Sequence, residues 1–346
     1  MTATVLGPAA SPISREGTND QSPYTRLTKV EPMNNHDGTA VRSPNFVVGI
    51  DLGGTKIRGG IATTWGAIIA DRKVETQADD LIGQIARLVA SLCQDADADI
   101  GAVVATGIGG AGVPDSVGGT FGKAPNLAGV DGESFAGQLA EVLGHRVVIE
   151  NDVNVAALGE LKYGVGLAHR DFVFVSVGTG IGMGVVSNGM LVRGAHGAAG
   201  EIGFLPMGAD PFDPRTRRRG ALEEVVAGDA LTGRYRDATG TVVTAEEVFA
   251  RAAKGDVAAI ATLDEQAKWL ATAIVAVDAM LDPHVVVLGG GIGSRADLLL
   301  MIRGWLDRLG ASAIDVRISE LGSRAPVAGA VLLALDAARP SGKGTV

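Results

Sequence analysis

The sequence is poor in several residue types, and each shortage argues against a class of protein. Cys93 is the single cysteine among 346 residues, so no internal disulfide can form and cysteine alone cannot build a zinc site. Lys and Arg total 30 against 39 Asp and Glu, and the net charge of -9 argues against nucleic acid as a main partner. No apolar run approaches the ~18–20 residues of a membrane span, and the start of the chain lacks a secretory signal pattern. We therefore expect a cytoplasmic protein.

Three local features need an interpretation of their own. Arg215–Arg219 is a concentrated basic run, which we interpret as a solvated loop. Cys93 continues a helix-spaced apolar stripe that begins at Leu81, which predicts an inert residue at a helix end. Residues 1–45 are rich in Ser, Pro, Asn, Thr and Gly without a hydrophobic period, so we expect a disordered tail that contains no helix-turn-helix.

From Phe46 onward, strand patterns alternate with helix patterns, which is typical of an α/β fold. The predicted strands are FVVGI, VVATGI, RVVI, FVFVSV and VVVL, and the predicted helices are SFAGQLAEVL and a long region that ends at Leu281.

Glycine is abundant, with 50 residues, and two glycine turns each lie between strand patterns. These strand-glycine-strand units, at Asp51–Lys56 and Gly178–Gly184, predict a duplicated fold with a cleft between two lobes. A dinucleotide-binding fingerprint would lead from the glycines into a helix, and GGGIGS at 289–294 has Ser294 at the last glycine. A nicotinamide enzyme is therefore disfavoured.

The two turns have the chemistry of phosphate binding. Glycine lets the backbone N–H groups approach a ligand closely, while Asp51 can hold a metal-bound water and Thr55 can donate a hydroxyl. Tight hairpins that need a positive φ would explain one such turn, but two matched Gly-Thr turns favour phosphate binding. The residues concerned are Asp51, Gly53, Gly54, Thr55, Lys56, Gly178, Thr179 and Gly180.

Three carboxylates are candidates for catalysis or for binding a polyol. Asp152 follows a strand pattern in IENDVNVAALGE, where a general base for a hydroxyl would be exposed, although Asp152 or Asn154 could instead cap the next helix. Glu201 and Glu223 follow glycine-rich loops and could accept hydrogen bonds from sugar hydroxyls. The alternative for Glu223 is a glutamate in a helix first turn, favoured by the helix dipole.

Taken together, these segments make the chain resemble the ROK family of sugar kinases, from about Phe46 to Leu335. The motifs, in order, are DLGGTK, PNL, ENDVNVAALGE, VGTGIGMG, AAGEIG, GALE and the GGG at 289. The resemblance implies an actin-like, hexokinase-type (ribonuclease H-like) α/β fold, duplicated into two lobes with a cleft between them. We expect a small lobe of residues 46–123 plus 324–341 and a large lobe of residues 124–323.

The resemblance also implies a role for each matched residue. Asp152 would be the base that takes the proton of the sugar hydroxyl, Asp51–Lys56 and Gly178–Gly180 would face the ATP phosphates and Mg²⁺, and lobe closure would exclude water. The sugar would be held by Gly112, Asn126, Asn151, Glu201 and Glu223, and the adenosine by Gly289, Gly290 and Gly291.

Departures from the family pattern affect the sugar site and a zinc site. Phe204 stands where the family has a histidine that contacts the sugar and a structural zinc, and His196 is a possible substitute donor. The family's zinc cysteines align with Pro214, Thr216 and Ala221, so we expect no zinc and no other protein-held metal apart from Mg²⁺ with ATP.

The expected function is ATP-dependent phosphorylation of a hexose, with glucose and its 6-hydroxyl as the first choice. Alternative acceptors are fructose or an N-acetylhexosamine such as N-acetylmannosamine, and polyphosphate is an alternative donor. A non-catalytic sugar sensor is a third possibility, which the missing helix-turn-helix argues against. The family resemblance further implies a homodimer, with no nucleic acid or membrane partner.

Overall fold

The computed structural model describes residues 45–115, 120–122 and 134–339. Residues 1–44 of the expected tail and the PNL segment with Asn126 lie outside the described residues, so both stay predictions. Within the described ranges, no helix is long and apolar enough to cross a membrane.

The described part of the first half of the chain contains seven strands, and five of them form one mixed sheet. The strands are β1 (Phe46–Leu52), β2 (Lys56–Thr63), β3 (Ile68–Glu75), β4 (Val103–Gly110), β5 (Val113–Asp115), β6 (Thr120–Gly122) and β7 (Arg146–Asn151). The sheet has the order β3-β2-β1-β4-β7, while β5 and β6 pair separately. Its first three strands are antiparallel neighbours, whereas β4 runs parallel to β1 and β7.

The first half also contains three helices: α1 (Leu81–Asp95), α2 (Phe135–Leu143) and α3 (Asp152–Tyr163). Asp80 is the N-cap of helix α1, because its side chain accepts a 3.2 Å hydrogen bond from the Gly83 N–H. Its apolar stripe packs on β2 and β3 and shares one core cluster with Val48 and Ile50 of β1. Cys93 is buried in the last turn, where burial raises the pKa of its thiol, as the apolar stripe predicts for an inert cysteine.

The second half of the chain forms a second five-stranded sheet with the same pattern. Its strands are β8 (Phe172–Val177), β9 (Ile181–Ser187), β10 (Met190–Val192), β11 (Val285–Gly289) and β12 (Val316–Ile318). The order is β10-β9-β8-β11-β12, with two antiparallel pairings followed by two parallel ones. Both sheets therefore have one topology, which confirms the predicted duplicated α/β fold.

Eight helices follow in the second half. They are α4 (Thr216–Arg219), α5 (Glu223–Val226), α6 (Gly228–Thr239), α7 (Ala245–Ala252), α8 (Val257–Leu281), α9 (Gly290–Gly293), α10 (Ala296–Arg308) and α11 (Ala325–Ala338). The longest, α8, is capped by Asp256, which accepts hydrogen bonds from two backbone N–H groups, and it ends at Leu281 as predicted. With α6, α7 and α10 it covers one face of the second sheet, where Leu270 and Ile274 lie in the core.

Two helices cross between the sheets and tie them together. Helix α3 follows β7 of the first sheet but packs on β9 of the second, whereas α11 follows β12 of the second sheet and packs on β1 and β4 of the first. The two helices cross at Gly159 and Gly329, where a Cβ would overlap the carbonyl oxygens of Ala325 and Val155. Only glycine permits this backbone approach.

A buried carboxylate reinforces the crossing. Glu160 on α3 has no exposed surface, and its Oε1 accepts hydrogen bonds from the Ser319 hydroxyl at 2.5 Å and the Leu321 N–H at 3.1 Å. Its Oε2 accepts from the Val165 N–H at 3.1 Å. The side chain therefore joins α3 to the segment that leads into α11.

The lobe limits stay a prediction. Strand β7 pairs with β4 and lies in the first sheet, although the expected limits assign residues 124–323 to the large lobe. Helix α11 packs on the first sheet, and residues 324–341 were expected in the small lobe.

We predict that Gly329→Ala lowers the free energy of unfolding by about 3 kcal/mol or more, because the new methyl group would force α3 and α11 apart. Gly304→Ala is the matched control, since Gly304 lies in helix α10 with open space around its Cβ position. That change should be neutral or stabilise by up to ~1 kcal/mol. Urea unfolding of both variants would test this, and equal stabilities would contradict it.

Candidate functional site

The site is centred on the junction of β7 with α3. Asn151 is the N-cap of α3, and its Oδ1 accepts hydrogen bonds from the N–H groups of Val153 at 2.9 Å and Asn154 at 3.1 Å. Asp152 is therefore the first residue of the helix and not its cap. This removes the main structural alternative for Asp152, because another side chain performs the capping.

Asn151 also links this junction to the end of the neighbouring strand. Its Nδ2 donates a 3.1 Å hydrogen bond to the carbonyl oxygen of Gly112, which has a φ of 111°. Two residues that were expected to hold the sugar are thus in direct contact. Asn126, another residue expected to hold the sugar, lies outside the described residues.

Asp152 and Asp51 are close enough for their charges to interact. Both side chains are largely surrounded by protein but keep some exposed surface, as is typical of residues that line a cleft. The pKa of Asp51 is raised to about 7, mainly by burial and then by the negative charge of Asp152, against the opposing effects of Arg58 and Lys73. Burial also raises the pKa of Asp152, although its Oδ1 accepts a 2.9 Å hydrogen bond from the Val153 N–H. Desolvation is the dominant cause for both groups.

The first glycine turn follows Asp51 directly and joins β1 to β2. The Gly53 N–H donates to the Lys56 carbonyl oxygen at 3.1 Å, and the Thr76 hydroxyl donates to the Gly53 carbonyl oxygen at 2.7 Å. Gly54, Thr55 and Lys56 are exposed at the tip of this turn. A braced turn with an exposed backbone can bind an anion without prior rearrangement.

The second glycine turn lies against two other glycine segments. The Gly178 N–H donates to the Gly180 carbonyl oxygen at 2.9 Å, with Thr179 between them, and the Gly178 carbonyl oxygen accepts from the Gly228 N–H at 2.9 Å. A Cβ at Gly178 would lie 3.8 Å from the Gly291 nitrogen. Gly289 and Gly290 precede that residue, and Gly290 has a φ of 79° that suits glycine. The fold thus brings Gly178–Gly180, one of the two segments expected to face the phosphates, next to the segment expected to face the adenosine.

Glu223 contacts the second turn directly. Its Oε2 accepts a 3.3 Å hydrogen bond from the Ile181 N–H, and its Oε1 accepts one of 3.3 Å from the Arg219 Nε. Glu223 is the first residue of α5, as expected if it only served as a glutamate in a helix first turn. Its two hydrogen bonds, however, are to residues outside that helix. Glu201 is exposed and precedes the 3₁₀ turn Ile202–Phe204.

Helix α3 brings Asp152 next to the second sheet. Val153, the neighbour of Asp152, packs against Gly182 in the strand that follows the turn, where a Cβ would lie 2.8 Å from the valine Cγ2. Asp152 is therefore flanked by Asn151, which ends a strand of the first sheet, and by Val153, which packs on the second sheet.

Several polar residues of the site were missed by sequence reasoning. Glu150 is buried and accepts hydrogen bonds from the Asn151 N–H at 3.0 Å, the Asn154 Nδ2 at 3.0 Å and the Arg193 Nε at 2.6 Å. Arg193 begins the loop that leads to Glu201, so this ion pair ties that loop to β7. The position of Glu150 directly before Asn151 could have indicated that it belongs to the site. Nothing in the sequence indicated that Arg193 would be its partner.

The interpretation of Arg215–Arg219 as a solvated loop is wrong in part. Residues Thr216–Arg219 form the helical turn α4, and Arg219 makes ion pairs with Glu223 and Asp229. Arg217 and Arg218 are exposed, as that interpretation requires. The i,i+4 spacing of Arg219 and Glu223 was the signal that could have indicated the pair.

The described residues contain no group of three or more His, Cys, Asp or Glu side chains that could hold a metal ion. Magnesium needs fewer, because it is commonly bound by one or two carboxylates together with substrate phosphates. Asp51 fits this use, since its raised pKa shows that burial and the charge of Asp152 outweigh the effects of Arg58 and Lys73, and a bound cation would offset that cost.

We predict that Asp51→Asn reduces the pH dependence of stability. Because the pKa of Asp51 is raised to about 7, the folded chain retains a proton between about pH 4 and 7 that the unfolded chain releases, so stability falls as pH rises through this window. The asparagine is neutral throughout and removes this part of the fall. The pKa of Asp152 is also raised, so Asp152 still contributes its own part of the fall in stability in this variant.

The measurement is the midpoint of thermal unfolding at about pH 5 and about pH 8. Asp237→Asn serves as control, since the Asp237 side chain is 71% exposed on α6. If Asp51→Asn and wild type lose the same number of degrees over this range, Asp51 is not the titrating group.

Comparisons with known proteins show which family the chain resembles. Residues 47–337 match the ROK family. Glucokinase from Streptomyces coelicolor is 30% identical over 320 residues, which cover 84% of this chain and 98% of the relative. N-acetyl-D-glucosamine kinase from Yersinia enterocolitica is 30% identical over 256 residues, which cover 71% of this chain and 84% of the relative.

A solved structure extends the similarity to the fold. The ROK family glucokinase from Streptomyces griseus, in complex with glucose and AMPPNP, has a TM-score of 0.71 and 29% identity to this chain. The match covers 84% of this chain and 100% of that one. The two mixed sheets thus belong to the actin-like two-lobe fold, and the chain is a member of the ROK family.

Proposed function

We propose that this sugar kinase transfers the γ-phosphoryl group of ATP to the 6-hydroxyl of glucose. The main support is the position of Asp152: a desolvated carboxylate of raised pKa, in the first turn of α3, next to Asn151 and Asp51. A general base needs both accessibility and a pKa shifted toward the operating pH. Asp152 has both.

The proposed chemistry requires one proton acceptor. Asp152 Oδ1 accepts from the Val153 N–H, which leaves Oδ2 to accept the proton of the sugar hydroxyl. The hydroxyl oxygen then forms a bond to the γ-phosphorus while the bond to the ADP oxygen breaks. Asp152 must be deprotonated to act, so turnover should rise with pH through its pKa.

The sugar would be held by hydrogen bonds at the junction of the two lobes. Asn151 and Gly112 are already in contact, and Glu223 can accept from a hydroxyl because its carboxylate has acceptor capacity beyond its two present bonds. Glu201 is exposed and would accept hydrogen bonds from the same ligand, with Asn126 as a further proposed contact. These assignments are part of the proposal.

The nucleotide would bind across the glycine segments. Asp51–Lys56 and Gly178–Gly180 would face the phosphates, and Gly289–Gly291 the adenosine, since the last two segments are neighbours. AMPPNP in the Streptomyces griseus structure supports ATP as the donor. Mg²⁺, bound with the phosphates near Asp51, would neutralise charge during transfer.

A second acceptor class is an N-acetylhexosamine. The observation in its favour is that a kinase for N-acetyl-D-glucosamine and a glucokinase are equally identical to this chain, at 30% each. Phe204, which is 48% exposed, leaves an apolar surface where the family pattern has a histidine. Fructose as acceptor and a non-catalytic sensor are outcomes of the assay below.

We predict that Asp152→Asn lowers kcat by ~10²–10⁴-fold, because general-base catalysis contributes about this factor. Glucose affinity should stay within a few-fold of wild type, since Asn151 and Glu223 are unchanged. The assay couples ADP release to glucose, fructose and N-acetylhexosamines in turn, with calorimetry for binding. Asp237→Asn on the surface is the matched control and should keep full activity.

The outcomes separate the alternatives. Wild-type turnover by Asp152→Asn would contradict the catalytic assignment. Sugar binding without turnover in the wild type would favour the sensor, and preferred turnover of an N-acetylhexosamine would favour the second acceptor class. Stoichiometric zinc in the purified protein would contradict the expected absence of zinc.

We predict that Phe204→His lowers the KM for glucose about two- to tenfold with little change in kcat. An imidazole can donate a hydrogen bond to a sugar hydroxyl, which contributes ~0.5–1.5 kcal/mol net. Phe204→Leu is the control, because it removes the aromatic ring without adding a donor. Equal KM values for the two variants would show that this position does not contact the sugar.

A further inference from the structure

Arg219 forms the centre of an ion-pair network that joins two different elements. Its Nε donates to Glu223 Oε1 at 3.3 Å, while its two terminal nitrogens donate to the two carboxylate oxygens of Asp229 at 2.7 and 2.5 Å. Planar guanidinium groups favour this fork geometry. The two acids hold the pKa of Arg219 above its ordinary value, with the Asp229 hydrogen bond the largest cause.

The Glu223 end of the network orients the carboxylate. Glu223 Oε2 accepts from the Ile181 N–H, and a Cβ at Gly180 would lie 3.0 Å from the same oxygen. Two donors on different oxygens restrict the rotation of the carboxylate but leave lone pairs for a ligand. Arg219 therefore determines which way Glu223 presents its remaining acceptors.

The Asp229 end reaches the nucleotide side of the same turn. Asp229 lies in the first turn of α6, and the preceding residue, Gly228, donates its N–H to the Gly178 carbonyl oxygen. Gly178 in turn lies next to Gly291. Glu223 thus contacts Ile181 directly, while Gly228, the residue before Asp229, contacts Gly178.

Charge makes the arginine necessary. Glu223 and Asp229 are two carboxylates close to a turn that would receive phosphate groups, and without a cation they would repel both each other and the ligand. Arg217 and Arg218 do not replace it, because they are exposed and make no ion pair within the described ranges.

From this arrangement we propose that Arg219 is a positioning residue that couples the sugar site to the nucleotide site, through Glu223 on one side and Asp229 with α6 on the other. The inference rests on the proposed function. Binding of a sugar at Glu223 orders the network that supports the phosphate turn, so each substrate increases the affinity for the other. By linkage the two enhancement factors are equal.

The test compares Arg219→Gln with Arg218→Gln, a neighbouring change of the same charge. Calorimetry measures glucose affinity with and without AMPPNP and Mg²⁺, and AMPPNP affinity with and without glucose. Arg219→Gln should weaken both ligands and reduce their mutual enhancement about fivefold or more, whereas Arg218→Gln should match wild type. Identical coupling in both variants would overturn the proposal.

Two further variants separate positioning from folding. Arg219→Lys keeps the charge but lacks the fork, so it should restore part of the coupling and of the glucose KM. Asp229→Asn breaks the link at a side chain that is 64% exposed, so the fold is retained, and it should weaken AMPPNP binding more than glucose binding. Wild-type coupling in Asp229→Asn would overturn the proposal even if Arg219→Gln fails to fold.

Failure of the proposed function gives a different result. If Asp152→Asn keeps its turnover, or no hexose is phosphorylated, the catalytic assignment is wrong. AMPPNP affinity in the Arg219 and Asp229 variants is measured without turnover and still tests the nucleotide side of the network.

Discussion

The close contact between α3 and α11 is the constraint on which the site depends. Gly159 and Gly329 let the two helix backbones approach, and buried Glu160 holds the segment that leads into α11. Each helix belongs by sequence to one sheet and packs on the other. Because α3 begins at Asp152, this crossing places the catalytic candidate between the two sheets, with β7 on one side and β9 on the other.

The carboxylates around Asp152 fall into two groups that differ in their electrostatic environment. Burial raises the pKa of both Asp51 and Asp152, although Arg58 and Lys73 oppose the rise at Asp51. Glu150 and Glu223, by contrast, each form an ion pair with an arginine. The carboxylates proposed to react or to hold Mg²⁺ are thus the desolvated ones, while Glu150 and Glu223, which would position a loop and the sugar, are paired with an arginine. This division distinguishes the proposed reacting groups from the proposed supporting ones.

Much of the fold and part of the site could be predicted from short segments. Apolar runs bounded by glycine predicted the central strands, and two matched glycine turns predicted the duplication that the equal strand orders confirm. The role of Asn151 was predicted only in part: it was expected at the sugar site together with Gly112, but the sequence offered Asp152 or Asn154, and not Asn151, as the possible cap of α3. Neighbouring polar residues compete for one cap, and only backbone geometry decides between them.

The sequence by itself determined the fold class, the family and the order of the candidate site segments, because these depend on local periodicity and on motif spacing. Only the tertiary structure decided which side chains meet. Glu150 and Arg193 are 43 residues apart, and Arg219 reaches Asp229 across a turn into another helix. Such pairs, and the desolvation that raises the pKa of Asp51, arise from packing between distant segments, which no single segment of the sequence specifies.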